Sequence, residues 1–334
     1  MKKSILSLLA IAAILPAITS CGEIKRGEYV KGAGSIYCDD GFKNILEEEI
    51  DVFEYQYRDS SIIPTYVSEG EALDALMEDK TDAVIVTQEL TPEQRDFIKK
   101  KYKKIVKSKP IAVDAVALIV NKDNPLSSLS MEEIGQLLRG NISKWDQLAV
   151  NDTANIKLVF DSQESSTVSY LREKFLDNGK ISDNPNAFAQ TNNAAVFDVV
   201  KKDPNAIGII SVSWLGSNLE KAKQVPMEQR VENYGDDSET VVSNLTTEVK
   251  ILKVSNPNED NDDSLIAYLP YQQYIATGEY PLFRKVYMIT TASNSMLMKS
   301  FYDFVTGFVG QKIISLTGIM PYNVQPRVVE LKEK

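Results

Sequence analysis

Ile111-Ala112-Val113-Asp114-Ala115-Val116-Ala117-Leu118-Ile119-Val120-Asn121 is the stretch on which the fold turns. Its second half, Val116–Val120, is an unbroken apolar run of strand length, as a strand buried on both faces requires. Turn-rich Asn121–Leu129 follows, and Ser130-Met131-Glu132-Glu133 has the spacing of a capping box opening a helix that reaches Leu138. Toward the N-terminus, Ala83–Val86 is another short apolar run. Before it, Glu69–Glu78 carries Ala72, Leu73, Leu76 and Met77 on one helical face; after it, Thr91-Pro92-Glu93 caps and starts a helix. Ser35–Cys38 and Ile62–Val67 read as strands around a helix, Phe42–Tyr57. Toward the C-terminus, strands Ile156–Phe160 and Ala206–Ser211 enclose helices Thr167–Leu176 and Ala194–Lys202. Residues 216–248 read as a polar loop with an acidic turn at Gly235-Asp236-Asp237. Val249–Val254 reads as a half-exposed strand, Asn256–Ser264 as an acidic solvated loop, Arg284–Thr290 as a strand and Ser295–Val309 as one long helix. Alternating strands and helices imply α/β sheets, mostly parallel, flanked by helices. A chain of 334 residues is too long for one such sheet, so two lobes are expected, with a cleft at the carboxyl ends of the strands.

Composition removes several chemistries. There is no histidine, so histidine triads, imidazole metal sites and histidine bases are excluded. Lysine and arginine number 37 against 47 acids, a net charge of -10, which argues against nucleic acid as a partner. No nucleophile elbow or metal-ligand spacing is present, so no cofactor, no metal and no enzymatic activity are expected, although paired carboxylates such as Asp39-Asp40 have the chemistry to hold a cation.

The N-terminus reads as an address. Lys2 and Lys3 precede an apolar run, Ile5–Ile18, too short and too broken by Ser7 and Pro16 to span a membrane. Ala17-Ile18-Thr19-Ser20-Cys21-Gly22 then resembles a bacterial lipoprotein signal. Cleavage of residues 1–20 and lipidation of Cys21 are expected, with residues 21–31 as the membrane tether and a place in the cell envelope, on the periplasmic side or the cell surface. Cys38 is then the remaining thiol. It has no partner for a disulfide and reads as a small buried hydrophobe.

Several segments, in order, resemble the PstS family, the solute-binding proteins of phosphate ABC importers. They are Ile111–Asn121 with Asn124-Pro125, Leu129–Ile134, Gly140-Asn141-Ile142-Ser143-Lys144-Trp145, Ala206–Ile209, Tyr280–Tyr287 and Gly310–Ile314 with Gly318–Pro321. The resemblance implies the two-lobed periplasmic binding protein type II fold, closing on its ligand by hinge motion. Lobe 1 would comprise 32–114 and 216–334, and lobe 2 would comprise 115–215. The implied partners are phosphate or a similar small anion and the membrane subunits of an ABC importer, and a monomer is the usual state.

An oxyanion in such a fold sits among loops that open helices, where backbone amides are unpaired. The candidate ligand residues are Asp40 and Gly41 before the first helix, Ser68 before the second, Thr87 and Gln88 after the third strand, Ser165, Ser166 and Thr167, and Asn192. Plain helix capping is the competing reading for each. Ser165-Ser166-Thr167 aligns with the family's Ser-Gly-Thr motif. The family usually has an arginine four residues earlier; Asp161 stands there. The expected cleft therefore loses its obvious cation and gains carboxylates, with Arg172 as a conceivable replacement. That departure sustains an alternative: a surface lipoprotein or receptor using the same fold to sense or scavenge another ligand.

Overall fold

The computed structural model describes residues 30–177, 179–236, 244–255, 266–292 and 295–323. The expected signal segment, Cys21 and the acidic stretch Asn256–Ser264 lie outside the described residues.

The run that opened the reading is the middle of a 15-residue strand, Lys107–Asn121. It changes partners part-way. Lys107–Ala115 pairs antiparallel with Phe283–Thr290. From Val116 onward it pairs antiparallel with Ala206–Ser211 on one edge and with Val249–Ile251 on the other. Every residue from Ile111 to Val120 is buried, which is why the run carries no polar alternation.

Around this strand the sheet has two wings. One follows the order Ser60–Val67, Gly32–Asp39, Ala83–Val86, Phe283–Thr290, Lys107–Asn121; the other continues through Ala206–Ser211, Lys157–Phe160 and Ala187–Ala189. The outer strands of each wing are parallel and the junction is antiparallel. This is a two-lobed α/β architecture. The carboxyl ends of Gly32–Asp39, Ala83–Val86, Lys157–Phe160 and Ala206–Ser211 bring Asp39, Thr87, Asp161 and Ser211 to one region between the wings.

Local signals set the helix starts. Ser68, Thr91 and Ser130 each complete a capping box, opening helices Glu69–Met77, Pro92–Tyr102 and Met131–Arg139. The last of these stops at Gly140, whose φ of 78° is a left-handed cap that glycine adopts without strain.

Three expectations are corrected. Residues 216–248 are not simply loop: Asn218–Ala222 and Met227–Gly235 are helices. They are short and mostly polar, and they are held by a few buried anchors such as Leu219 and Tyr234, the latter packed with Val52 and Ile313. The long C-terminal helix is two, Met296–Val305 and Phe308–Leu316. The break permits a close approach: a Cβ on Gly310 would lie 2.6 Å from the Val305 backbone. Finally, Val249–Ile251 pairs with the second half of the long strand and Lys253–Ser255 with Ser128–Ser130, so this stretch packs with the second wing although its place in the sequence suggested the first.

Candidate ligand cleft

Between the wings lies a buried set of charges. Asp39, Asp114 and Asp161 are 1%, 0% and 2% exposed. Asp39 ends the first strand, and its carboxylate crosses to the second wing. There Oδ2 accepts from the Ser166 amide at 3.1 Å and Oδ1 from the Ser166 hydroxyl at 2.9 Å. Oδ1 also accepts from the Gly41 amide at 2.9 Å. A Cβ on Gly41 would stand 2.8 Å from that oxygen, so the turn needs glycine to let the carboxylate in.

Asp40 makes a parallel contact. Its Oδ2 accepts from the Asn193 amide at 3.2 Å and from Asn193 Nδ2 at 3.4 Å. Ser166 and Asn193 are the first residues of helices Ser166–Phe175 and Asn193–Lys202. Two neighbouring acids of one wing thus sit at two helix N-termini of the other, where the helix dipoles favour negative charge. Trp214 fixes the same turn, its indole N–H donating to the Asp40 carbonyl at 3.3 Å.

The cation is Arg284, from the strand paired with the long strand. Its Nε and Nη2 donate to Asp114 Oδ2 at 3.1 and 3.0 Å, and Nη2 also donates to Thr167 Oγ1 at 3.2 Å. Nη1 is buried and makes no hydrogen bond among the described residues. The expectation of a cleft without a cation is corrected here: the charge arrives from the strand beside Asp114, not from position 161. Arg172 does not supply it, since its Nε donates to the Gly179 carbonyl at 2.8 Å.

Asp161 accepts from the Ser165 hydroxyl at 2.5 Å and from Asn193 Nδ2 at 3.1 Å. Burial, reinforced by the charge of Asp39, pushes its carboxyl up to about 7. Burial likewise raises Asp39 and Asp114, with Arg284 opposing. Glu69 is raised by burial and then by Asp39; its Oε1 accepts from the Thr87 amide, from the Thr87 hydroxyl at 2.8 Å and from the Gln88 amide at 3.1 Å. Its Oε2 is buried with no hydrogen bond.

The sequence-predicted residues divide accordingly. Asp40, Gly41, Ser166 and Thr167 meet in the cleft. Ser165 caps its helix through the Val168 amide at 3.2 Å and holds Asp161. Thr87 and Gln88 have their amides on Glu69, and Gln88 is exposed. Ser68 and Asn192 have their side chains in capping bonds to Glu71 and Ala195. Sequence reasoning missed Arg284 and Asp114. Both carried a signal: Asp114 is the one charge inside the apolar run, and Arg284 falls in phase with the inward-facing Val286 and Met288. Ser211 was missed too; its hydroxyl donates to Asp114 Oδ1 at 2.9 Å.

Among the described residues, the cleft shows no activated nucleophile. Cys38 is buried, and burial followed by the charge of Asp39 pushes its thiol well up. Among the described residues, no group of three or more acidic, cysteine or histidine side chains is placed to hold a metal ion. What converges instead is hydroxyls, helix-start amides and one guanidinium, interleaved with carboxylates.

Residues 23–307 match the family model described as the PBP superfamily domain. The chain belongs to that superfamily. It is 23% identical to the phosphate-binding protein PstS of Pseudomonas aeruginosa, over 97% of this chain and 93% of that protein. A second relative, phosphate-binding protein PstS 2 of Streptococcus pneumoniae, is 25% identical over 36% of this chain and 39% of that protein. Two solved structures share the PBP fold. One is a phosphate ABC transporter substrate-binding protein with bound phosphate from Clostridium perfringens (21% identity, TM-score 0.67, 87% of this chain and 100% of that one). The other is an ABC-type phosphate transport receptor from Vibrio cholerae (18% identity, TM-score 0.59, with the same coverage). Among the described residues, no helix of this PBP superfamily member is long and apolar enough to cross a membrane.

Proposed function

We propose that the protein is the solute-binding component of an ABC importer, taking phosphate or a related oxyanion between its lobes, anchored to the cell envelope through lipid on Cys21. The observation that carries this reading is the convergence on one buried cleft of two helix N-termini, the hydroxyls of Ser166 and Thr167, and the guanidinium of Arg284. Helix-start amides and neutral hydroxyls are donors suited to an oxyanion. The long strand shared by both wings is the element about which they would close. The relatives, phosphate-binding proteins and a phosphate transport receptor, favour the same ligand class.

One observation favours a second reading. Asp39, Asp161, Glu69 and Asp114 all feel a single guanidinium, and Asp40 lies beside Asp161; like charges in a low-dielectric site disfavour a dianion. A surface lipoprotein using this fold for a different solute fits that balance. Calorimetric titration of the full chain in detergent, with phosphate at two pH values and sulfate as control, separates the two. Saturable heat with phosphate alone, at micromolar concentration, is the expected result. A folded protein that gives no heat with either anion belongs to the second reading.

A further inference from the structure

The backbone amides that the sequence offers to an anion are already taken by the chain's own carboxylates. Asp39 holds the Ser166 amide and hydroxyl, Asp40 holds the Asn193 amide, and Glu69 holds the amides of Thr87 and Gln88. Two of these three carboxylates bridge the wings; Glu69 and its partners lie within one. Beside the Ser166 contact, the nine-tenths-buried guanidinium of Arg284 reaches Thr167 and keeps Nη1 without a hydrogen bond. The donors around Ser166 are therefore those of an anion seat, and the anion in it is Asp39.

We propose that Asp39 is the specificity-determining residue of the cleft, a built-in anion that clasps the two lobes through Ser166 and that a dissolved oxyanion must displace to bind. The oxyanion half of this inference rests on the function proposed above; the clasp itself does not. Three consequences follow from the geometry. The closed arrangement of the lobes is stabilised by the Asp39–Ser166 and Asp40–Asn193 bonds without any solute. An incoming anion competes with a tethered carboxylate, so its apparent affinity is its intrinsic affinity multiplied by the fraction of molecules in which the seat is open. Replacing Asp39 by a short neutral residue frees the seat while leaving Arg284, Thr167 and both helix N-termini in place.

The test uses the full chain and the variants Asp39→Ser, Asp39→Asn and Glu69→Gln. Asp39→Asn keeps the shape of the turn should Asp39→Ser fail to fold. Glu69→Gln removes a neighbouring negative charge without touching the second wing. Hydrogen exchange in the absence of added anion is read at the amides of Ser166 and Asn193. Faster exchange at Ser166 in both Asp39 variants, and wild-type exchange there in Glu69→Gln, is expected; unchanged protection at Ser166 in the Asp39 variants overturns the clasp. Phosphate titration then reads the competition. An affinity about tenfold tighter or more in the Asp39 variants, beyond any gain in Glu69→Gln, is expected for a displaced internal competitor. Equal or weaker affinity makes Asp39 a ligand contact and overturns the inference. If no protein of the set binds phosphate, the oxyanion reading fails, and the exchange experiment alone decides the clasp.

Discussion

Two buried arginine–carboxylate pairs occupy different layers of the molecule, and their surroundings differ. In the helix layer, Arg230 Nη1 donates to both oxygens of Glu48, at 3.0 and 2.9 Å, and the Tyr234 hydroxyl adds a third bond at 2.8 Å. One cation answers one carboxylate there. The adjacent Glu49 is buried with neither oxygen hydrogen-bonded among the described residues, and burial pushes its carboxyl well up. In the cleft, Arg284 answers Asp114 and also faces Asp39, Asp161 and Glu69. The helix layer sets one arginine against one hydrogen-bonded carboxylate. The cleft sets one arginine among several carboxylates, and the two pairs differ in that surplus rather than in either bond length.

The strongest way to break this comparison is to remove each arginine. Arg284→Met strands Asp114 and its acidic neighbours; a loss of about 3–5 kcal/mol in urea unfolding is expected, together with loss of phosphate heat. Arg230→Met leaves Glu48 unpaired and costs about 3 kcal/mol, yet phosphate affinity stays within about twofold, because distant sites add independently. Equal damage to binding from both variants would erase the distinction.

A smaller effect sharpens it. The Asp161 carboxyl is raised from 3.8 to about 7, so the native state holds its proton more tightly than the unfolded chain does. Its contribution to stability is complete below about pH 4, is lost as pH rises through about 7, and is flat above that. Asp39, Asp40 and Arg284 face it, with Ser165 and Asn193 as hydrogen-bond donors. Asp161→Asn removes the slope. Its unfolding free energy should exceed that of the wild type above neutrality by about 4 kcal/mol, with the gap closing toward pH 4. A gap that persists unchanged in acid assigns the effect to packing instead.

Glu49→Leu tests the other layer. Replacing an unbonded buried carboxyl by a side chain of similar volume should raise the urea midpoint, by about 1–2 kcal/mol in stability. The smallest effect is at Ser68, whose capping box serves its own helix alone: Ser68→Ala costs about 1 kcal/mol and leaves phosphate binding unaltered. A clear loss of binding there would move Ser68 into the cleft.

Much of the fold was legible because its signals are local. Capping boxes at Ser68, Thr91 and Ser130 mark helix starts by three-residue spacing, and apolar runs such as Ala83–Val86 mark buried strands. The break at Gly307 and the helices in 216–248 were not legible. A glycine inside an amphipathic pattern does not announce that another backbone approaches it, and a mostly polar helix whose one buried residue is Tyr234 reads as loop.

The cleft divides along the same line. Ser165-Ser166-Thr167 was visible as a hydroxyl-rich helix start, and the resemblance gave it a role. Ser68 had the same local chemistry and a purely local task. What separates them is the partner: Glu71, three residues away, for Ser68, and Asp39, 127 residues away, for Ser166. The sequence by itself determined the longer strands, most helix starts and the family, because periodicity, capping and ordered motifs act over a few residues. Only the tertiary structure decided that Arg284 is the cleft's cation and that Asp39 fills the anion seat. Burial and charge pairing depend on which residues meet in space, and no spacing along the chain encodes that.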